Sequence, residues 1–386
     1  MKILLIHNGY KSDNVGGEDI VFYQEFIKLS ELLGSNNVFR YQVSNDDISR
    51  FRLIFSIFFS FEHYRNVKSL VRKNNIDLVH VHNFFPLLTP SVFKAGRDAG
   101  AKVICTLHNY RLWCISGIFY REGSGVCELC TKKSFSLAGI KNKCYRNSFF
   151  QSLGAQLSFW FYRKLRFFDN IDYFFVLTRF QKKKVISLGI SESKIFLKPN
   201  GTEECAIKLP NNSVKSNNYI YVGRLEEAKG IIDLLDCWTN LDEKFVLVVV
   251  GDSPIRSILE VRYDQKNIIF KGLKARNETL QLIERSKYLI QPSKLYETFG
   301  LTILEAMAVG VPVIGLDIGT RPEFIKNNIN GFVCSLEELE TTIRSSFNYT
   351  KYNFLSRNAR SSALATNSET VITNQIKIYN KLNDIN

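Results

Sequence analysis

Short apolar segments alternate with amphipathic segments along the whole chain, and this alternation constrains the fold more than any other feature. The apolar runs lie at 3–6, 76–82, 103–107, 171–178, 219–222, 245–251, 267–272, 288–292 and 313–315. Between them, apolar residues recur at helical spacing, as in the stretch 20–29. Strands that alternate with helices form parallel sheets covered by helices on both faces. The sequence therefore predicts an α/β protein with two Rossmann-like, doubly wound parallel-sheet domains.

The length of 386 residues exceeds what one ordinary hydrophobic core organises. The tripeptide 199–201 (PNG) is a strong break, and polar, turn-rich residues follow it up to 218. We therefore place a domain boundary near residue 200.

The net charge of +14 is carried by one half of the chain. Residues 1–198 contain 29 Lys+Arg and 15 Asp+Glu, whereas residues 199–386 contain 22 of each. A one-sided basic half indicates an anionic partner, such as a membrane surface, a lipid phosphate or a nucleic acid. A basic surface that serves only solubility is the alternative, but it does not predict the asymmetry.

Two aromatic-rich segments of the basic half, 51–61 and 149–168, are candidates for membrane contact or for core packing. No apolar run reaches the roughly 18–20 residues that span a bilayer. The first ten residues are too short and too polar for a signal peptide and read as a buried strand. These observations predict a cytoplasmic protein.

Four cysteines lie within 31 residues of the basic half. Cys127 and Cys130 form a Cys-x-x-Cys pair, with Cys114 before it and Cys144 after it. Disulfides are rare in a reducing cytoplasm, and this spacing is typical of zinc sites. We predict a structural zinc in a cysteine-rich insert at about 112–147; four thiolates would leave no open position for catalysis. Buried thiols, or a single redox pair, are the alternatives.

The stretch 292–310 (PSKLYETFGLTILEAMAVG) places two carboxylates around a predicted helix start. Glu297 lies in the loop before the helix, and Glu305 lies in its first turns. The N–H groups of a helix start suit a phosphate, and an ionised carboxylate accepts hydrogen bonds from sugar hydroxyls. An acidic residue that pairs with the helix dipole is the alternative, but it accounts for only one of the two glutamates.

Two cations, Arg224 and Lys229, lie at another strand-to-helix turn, bracketed by Gly223 and Gly230. The planar fork of arginine and the point charge of lysine together suit a diphosphate. Surface cations in an ordinary loop are the alternative.

The first half offers a glycine pair and a histidine at the ends of predicted strands. Gly16 and Gly17 precede a helix, where backbone amides can approach a phosphate or a sugar. His108 follows the strand 103–107, at the edge of a parallel sheet where ligands bind. A glycine pair that only relieves backbone strain, and a structural histidine, are the alternatives.

In chain order, these motifs resemble those of the retaining glycosyltransferases of family 4, which have the GT-B fold. The matching positions are 199–201, 223–224, 229–230, Gly251, Gly272, 292–293, Glu297, Glu305, 310–313, 319–323 and Gly331. The first half is similar through the glycine pair and His108, but Asn109 stands where many relatives have aspartate. The resemblance implies two Rossmann-like domains that face a central cleft.

The resemblance also implies a role for each domain. Residues 1–200 would bind the acceptor, residues 201–365 would bind a UDP- or GDP-linked sugar, and residues 366–386 would cross back to the first domain. The catalytic residues would be Glu297 at the transferred sugar, His108 near the reacting centre, and Arg224 and Lys229 at the leaving diphosphate. The further donor-binding residues would be Gly16, Gly17, Gly300, Leu301, Thr302 and Glu305. Such enzymes require no cofactor for catalysis.

The basic, aromatic-rich first half favours a lipid-linked oligosaccharide acceptor at the anionic inner face of the cytoplasmic membrane. We therefore expect a peripheral, retaining glycosyltransferase of the hexosyltransferase type, acting in O-antigen or capsule assembly. Another nucleotide-sugar enzyme, such as an epimerase or a glycan phosphorylase, is the alternative, although the sequence shows no pyridoxal-phosphate lysine site. A nucleic-acid-binding protein is a further alternative, but no helix-turn-helix or RNA-recognition pattern is visible, and we expect no nucleic-acid partner.

Overall fold

The computed structural model describes residues 1–10, 16–47, 53, 56–202 and 216–383. Residues 51, 52, 54 and 55 of the aromatic segment 51–61 therefore lie outside the described residues. The strands are β1 Ile3–Gly9, β2 Val38–Ser44, β3 Leu78–Asn83, β4 Lys102–Thr106, β5 Tyr120–Arg121, β6 Gly125–Val126, β7 Tyr173–Val176, β8 Ile195–Leu197, β9 Asn218–Val222, β10 Val246–Val250, β11 Ile268–Gly272, β12 Tyr288–Gln291, β13 Val313–Leu316 and β14 Gly331–Cys334.

The helices described in the structure are α1 Gly17–Leu33, α2 Phe61–Asn74, α3 Ser91–Asp98, α4 Leu137–Lys141, α5 Phe149–Lys164, α6 Arg179–Ser187, α7 Ile231–Trp238, α8 Arg256–Arg262, α9 Arg276–Arg285, α10 Leu301–Ala308, α11 Arg321–Phe324, α12 Leu339–Phe347, α13 Tyr352–Leu364 and α14 Ser368–Asn383. Short 3₁₀ turns occur at Ser35–Asn37, Asn45–Asp47, Phe167–Asn170, Glu192–Lys194 and Glu227–Lys229.

The chain divides into two compact units. The first contains residues 1–118, 128–200 and 369–386, and the second contains residues 119–127 and 201–368. Nearly all of α14 therefore belongs to the first unit. The hairpin β5–β6, which lies inside the cysteine-rich insert, belongs to the second.

The first unit is built on a six-stranded sheet in the order β2-β1-β3-β4-β7-β8, in which all neighbours are parallel. Its first strand is buried on both faces: Leu4 and Ile6 pack in one core cluster, whereas Ile3 and Leu5 pack in another. Because successive side chains of a strand point to opposite faces, the apolar run 3–6 supplies both cores. Each such side chain contributes about 1.5–3 kcal/mol by burial.

The second unit is built on a parallel sheet in the order β11-β10-β9-β12-β13-β14. All strands run in the same direction, but β9 to β11 are added towards one edge of the sheet and β12 to β14 towards the other, so the order reverses between β9 and β12. Ligands of such sheets bind at the carboxyl ends of the strands beside this reversal. The two parallel sheets confirm the predicted α/β fold class with two Rossmann-like domains.

The second aromatic segment, 149–168, forms α5 and the turn after it, and the helix has one buried face. Phe159 and Tyr162 are fully buried in the core of the first unit, whereas Phe149 and Phe150 at the helix start are exposed. Core packing therefore accounts for part of this segment but not for its start. Among the helices described, none is both long and apolar enough to cross a membrane.

Candidate active site

A close backbone contact brings the turn after β9 against the loop after β12, at the reversal of the second sheet. Gly230 has φ +74°, and a Cβ atom there would lie 1.9 Å from the carbonyl oxygen of Pro292. The amide of Lys294 donates to the carbonyl of Ala228 at 2.9 Å. Only glycine fits this approach, which carries the neighbouring Lys229 towards the loop.

Lys229 and Glu297, both predicted as site residues, form an ion pair. The Nζ atom of Lys229 donates to Oε1 of Glu297 at 2.7 Å, and the Ser293 hydroxyl donates to the same oxygen at 2.9 Å. Burial alone would raise the pKa of Glu297, but the charges of Lys229 and Arg321 and these hydrogen bonds hold the pKa below its ordinary value. Glu297 is therefore an ionised, acceptor-only group.

A second cation near Glu297 is Arg321, the first residue of α11. Its side chain is fully buried; its Nε donates to the Leu316 carbonyl at 2.9 Å and its Nη2 to the Leu295 carbonyl at 3.4 Å. Its Nη1 is buried without a hydrogen-bond partner. Burial lowers the pKa of Arg321 to about 10, against the opposing charges of Glu297 and Asp317. Sequence reasoning saw this residue only as part of the motif 319–323.

The helix start predicted after Glu297 is α10, and Gly300 precedes it with φ +123°. The first N–H groups of the helix, at Leu301 and Thr302, have no carbonyl of their own helix to bond. Glu305 lies in the second turn and is ion-paired with Arg276, the first residue of α9. Sequence reasoning missed Arg276, although it follows closely on the strand-end Gly272.

Arg224 is the more exposed of the two predicted cations. Its side chain is 55% exposed and forms an ion pair of 3.0 Å with Glu226, whereas the Lys229 side chain is 21% exposed. The exposed Arg224 guanidinium is accessible to an incoming anion, whereas the Lys229 ammonium is held in place by its ion pair with Glu297.

The β5–β6 hairpin is anchored to the 3₁₀ turn that carries Lys229. The Tyr120 hydroxyl donates to Oε1 of Glu227 at 2.8 Å, and the Gly123 amide donates to the same oxygen at 3.0 Å. This hairpin is a neighbour of the site that sequence reasoning did not find, because its partner carboxylate is more than 100 residues away in the chain.

In the first unit, His108 lines a small cavity at the carboxyl ends of β3 and β4. The cavity has a volume of about 20 Å³, and its lining includes His82, Asn83, Thr106, His108, Asn109 and Arg111. A volume of this size holds about one water molecule. His108 thus lies at a strand end, as predicted, beside a small cavity whose lining is mostly apolar.

The glycine pair lies at the start of α1, as predicted, but one of its amides is already used. The Gly16 amide donates to Oδ2 of Asp19 at 2.7 Å, and the Tyr10 amide donates to the other oxygen of that carboxylate at 3.2 Å. A ligand that contacts this turn therefore finds Gly17 exposed, whereas the Gly16 amide is already hydrogen-bonded to Asp19.

The four cysteines predicted to bind zinc form no metal-binding group in the described part of the chain. The one group of His, Cys, Asp or Glu there with ligand atoms within 4.8 Å of one another is Glu25, His80 and His82. The Cys127 amide donates to the Phe119 carbonyl and belongs to the second unit, whereas Cys114, Cys130 and Cys144 belong to the first. The zinc site stays a prediction.

The two parallel-sheet units match the fold of solved structures of the GT-B class, among them a glycosyltransferase from Rickettsia africae with a TM-score of 0.68 at 18% identity, covering 100% of both chains. The family described as "Glycosyl transferases group 1" matches residues 206–347, and "Glycosyltransferase Family 4" matches residues 35–204. The chain belongs to the glycosyltransferases of family 4.

Individual relatives are distant. The UDP-Gal:alpha-D-GlcNAc-diphosphoundecaprenol alpha-1,3-galactosyltransferase of Escherichia coli is 28% identical over 45% of this chain and 50% of its own length. Sucrose-phosphate synthase from Thermosynechococcus elongatus has a TM-score of 0.69 at 16% identity, covering 99% of both chains. Anabaena Alr3699/HepE, solved with UDP, has a TM-score of 0.65 at 17% identity, covering 99% of this chain and 100% of its own. The chain spans about half the length of the curated relatives it matches.

Proposed function

We propose that the protein is a retaining glycosyltransferase that moves a sugar from a UDP- or GDP-linked donor to a hydroxyl of a lipid-linked oligosaccharide in surface-polysaccharide assembly. The observation that carries the proposal is the ionised Glu297, held between Lys229 and the buried Arg321 beside the start of α10. The Anabaena relative solved with UDP and the Escherichia coli relative named for a diphosphoundecaprenol acceptor support it.

Each group of this site has a distinct task in donor binding. The Lys229 ammonium and the exposed Arg224 guanidinium neutralise the diphosphate, and the first N–H groups of α10, at Leu301 and Thr302, donate to its oxygens. Glu297 accepts hydrogen bonds from hydroxyls of the transferred sugar. Glu305, oriented by its ion pair with Arg276, accepts hydrogen bonds from the ribose hydroxyls.

In the proposed reaction, the bond between the anomeric carbon and the diphosphate oxygen breaks and takes its electron pair to the phosphate. The acceptor hydroxyl attacks the same face, and its proton passes to the departing phosphate oxygen. The cations stabilise the negative charge that develops on the leaving group, and no step requires a metal ion.

The start of α5 is the surface we propose for membrane contact. Phe149 and Phe150 are exposed there, and these residues are 46% and 81% accessible. Three exposed cations, Lys141, Lys143 and Arg146, precede them in the chain. Exposed aromatic rings beside cations suit the boundary of an anionic bilayer, where a lipid-linked acceptor would be reached.

A panel of UDP- and GDP-sugars, scored for nucleotide release with and without a lipid-linked acceptor, tests the activity. Lys229→Met and Glu297→Gln should each lower turnover by at least 100-fold, whereas Lys244→Met, at an exposed ion pair with Asp242 in the same unit, should not change it. Full turnover in the Lys229→Met/Glu297→Gln variant would exclude this site.

Flotation with vesicles that contain anionic lipid tests the membrane surface. The variant Phe149→Ser/Phe150→Ser should leave the vesicle fraction, whereas Phe354→Ser, at an exposed phenylalanine of the second unit, should float like the wild type. Wild-type protein that stays with the soluble fraction at low salt would contradict the membrane proposal. Co-purification of nucleic acid in high salt would favour a nucleic-acid-binding protein instead.

A further inference from the structure

An arginine of the first unit, Arg111, is held by two aromatic rings. Its guanidinium carbon Cζ lies 5.3 Å from the centre of the Phe85 ring and 5.6 Å from the centre of the Tyr145 ring. The two rings meet edge to face, with their centres 5.8 Å apart and their planes at 72°. The guanidinium therefore lies in the corner between the rings, where cation–π attraction fixes it without neutralising its charge.

The charge of Arg111 has no close counter-ion in the described part of the chain. No carboxylate there lies within ion-pair distance of the guanidinium, and Glu18 attracts it only from further away. The Nε atom of Arg111 is buried and has no hydrogen-bond partner among the same residues. Because a buried donor without an acceptor is costly, this arrangement indicates that a ligand supplies the acceptor.

A neutral side chain, Asn109, lies beside the guanidinium. Its Oδ1 accepts a hydrogen bond from the Arg111 amide at 3.0 Å. The Cγ atom of Asn109 and the Nη2 atom of Arg111 each lie 3.6 Å from the position that a Cβ atom would take at Gly117. Both residues line the small cavity at the carboxyl ends of β3 and β4. An uncharged amide at this place leaves the positive charge of Arg111 to an anion.

A second arginine, Arg146, lies over the same Tyr145 ring, with its Cζ 5.4 Å from the ring centre. It is exposed and has no ion-pair partner among the described residues. Its loop has left-handed backbone at Lys143, Arg146 and Asn147, with φ of +49°, +54° and +50°. Such conformations are uncommon outside glycine and cluster at ligand sites. The Tyr145 amide donates to the buried Ser152 hydroxyl at 2.9 Å, which fixes this loop to α5.

We propose that Arg111 and Arg146 bind the diphosphate of the lipid-linked acceptor. The planar fork of each guanidinium matches phosphate oxygens, and a diphosphate beside both arginines removes the repulsion between their charges. Phe149 and Phe150, which we propose for membrane contact, follow Arg146 closely in the chain, and a lipid diphosphate lies at the bilayer boundary. The assignment to the acceptor rests on the proposed glycosyl transfer, whereas the anion site itself does not.

The donor diphosphate is the competing occupant of this site. The cations proposed for the donor, Arg224 and Lys229, belong to the second unit, whereas Arg111 and Arg146 belong to the first. Each diphosphate therefore has its own pair of cations. Variants in the two pairs distinguish the two occupants.

Calorimetric titration of the full chain with farnesyl diphosphate tests the site, because this soluble probe carries a diphosphate and a prenyl chain but no sugar. Arg111→Gln and Arg146→Gln should each weaken its binding by about tenfold or more, since each removes charge-assisted hydrogen bonds. Arg65→Gln, at an exposed arginine of α2, and Arg224→Gln, in the donor pair, should bind the probe like the wild type. Weakening by Arg224→Gln but not by Arg111→Gln would overturn the proposal.

Asn109→Asp is a test that leaves the aromatic corner intact. The new carboxylate can still accept from the Arg111 amide, but it places a negative charge beside the guanidinium. Binding of farnesyl diphosphate should therefore weaken by about tenfold. Unchanged binding in both Asn109→Asp and the exposed Arg146→Gln would refute the site.

Inorganic pyrophosphate and vesicles of phosphatidylglycerol distinguish the sources of the phosphate. Pyrophosphate should displace farnesyl diphosphate from the wild type, and Arg111→Gln should float with the vesicles as the wild type does. Loss of flotation in Arg111→Gln would assign the site to bulk lipid headgroups and overturn the acceptor assignment.

The kinetics of transfer separate this proposal from the proposed function. Arg111→Gln should raise the KM of the lipid-linked acceptor by about tenfold and leave the KM of the donor unchanged. A raised donor KM with an unchanged acceptor KM would overturn the proposal. Wild-type protein that binds farnesyl diphosphate through Arg111 but transfers no sugar would refute the transfer reaction and support the anion site.

Discussion

Removal of the Glu297 carboxylate should destabilise the protein more than removal of its partner, the Lys229 ammonium, although the two form one ion pair. The two side chains are comparably buried, at 15% and 21% exposed. The difference comes from Arg321, which is fully buried and retains an unpartnered Nη1. Glu297→Gln leaves the Lys229 ammonium without its ion-pair partner and leaves Arg321 with the charge of Asp317, whereas Lys229→Met leaves a carboxylate beside an arginine.

The magnitudes follow from what each change leaves behind. Loss of one partner of a buried pair costs about 3–5 kcal/mol, and partial exposure places Glu297→Gln near the lower limit, at about 3 kcal/mol. In Lys229→Met the carboxylate keeps the Ser293 hydroxyl and the charge of Arg321. The loss is then about 1.5 kcal/mol, the value of one hydrogen bond to a charged group.

Urea unfolding of the full chain, followed by fluorescence and by far-UV circular dichroism, measures both values. The Lys229→Met/Glu297→Gln variant closes a double-mutant cycle and should be less destabilised than the sum of the single variants. Lys244→Met, at an exposed ion pair, is the matched control and should change stability by less than about 0.5 kcal/mol. If the two single variants lose equal stability, or if Lys229→Met loses more, then the charge of Glu297 does not stabilise the buried Arg321.

Three further predictions concern the fold and its pH dependence. Gly251→Ala should cost about 3 kcal/mol or more, because φ is +147° and the added Cβ would lie 1.9 Å from the Gly223 carbonyl oxygen; Gly189→Ala, with φ +100° and open space, should cost about 1 kcal/mol in the same denaturation assay. Tyr120→Phe should lose about 1 kcal/mol with its hydroxyl bond to Glu227, and an unchanged unfolding midpoint would contradict that bond. The pKa of Glu297 is lower in the folded protein than its ordinary value of 4.5, so the ion pair stabilises the fold above pH 4.5 and this stabilisation is lost as the pH falls through the folded pKa. The free energy of unfolding, measured from pH 6 to pH 3, should therefore fall less steeply in Lys229→Met than in the wild type.

The fold was predictable because each buried strand has its own local signal. The run 3–6 is apolar at every position, since both faces of β1 are covered by a core, and the run 245–251 becomes β10 for the same reason. Glycines at the turns beside such runs were also predictable. At both Gly230 and Gly251, an added Cβ atom would lie 1.9 Å from a backbone carbonyl oxygen of another segment.

The missing parts of the site depend on residues that only the folded chain brings together. Arg276 pairs with a glutamate 29 positions away, and nothing near either residue in the sequence indicates the pairing. Glu25 lies on a helix whose spacing predicts an ordinary amphipathic surface, yet its partner Gln375 is 350 positions away. Local pattern identifies the elements and the glycine turns, whereas buried charge is placed by tertiary contacts.

The last helix has a consequence for biosynthesis. Ile372, Tyr379 and Leu382 of α14 complete a core cluster that begins with Ile3 and Leu5. A ribosome that adds about 5–20 residues per second needs roughly 10–40 s to go from residue 200 to residue 386. During that interval the nascent first unit lacks one wall of its core and the amide that holds Glu25. We therefore expect chaperones to bind the nascent chain at the face that α14 later covers, and to release it once α14 has been synthesised and packed.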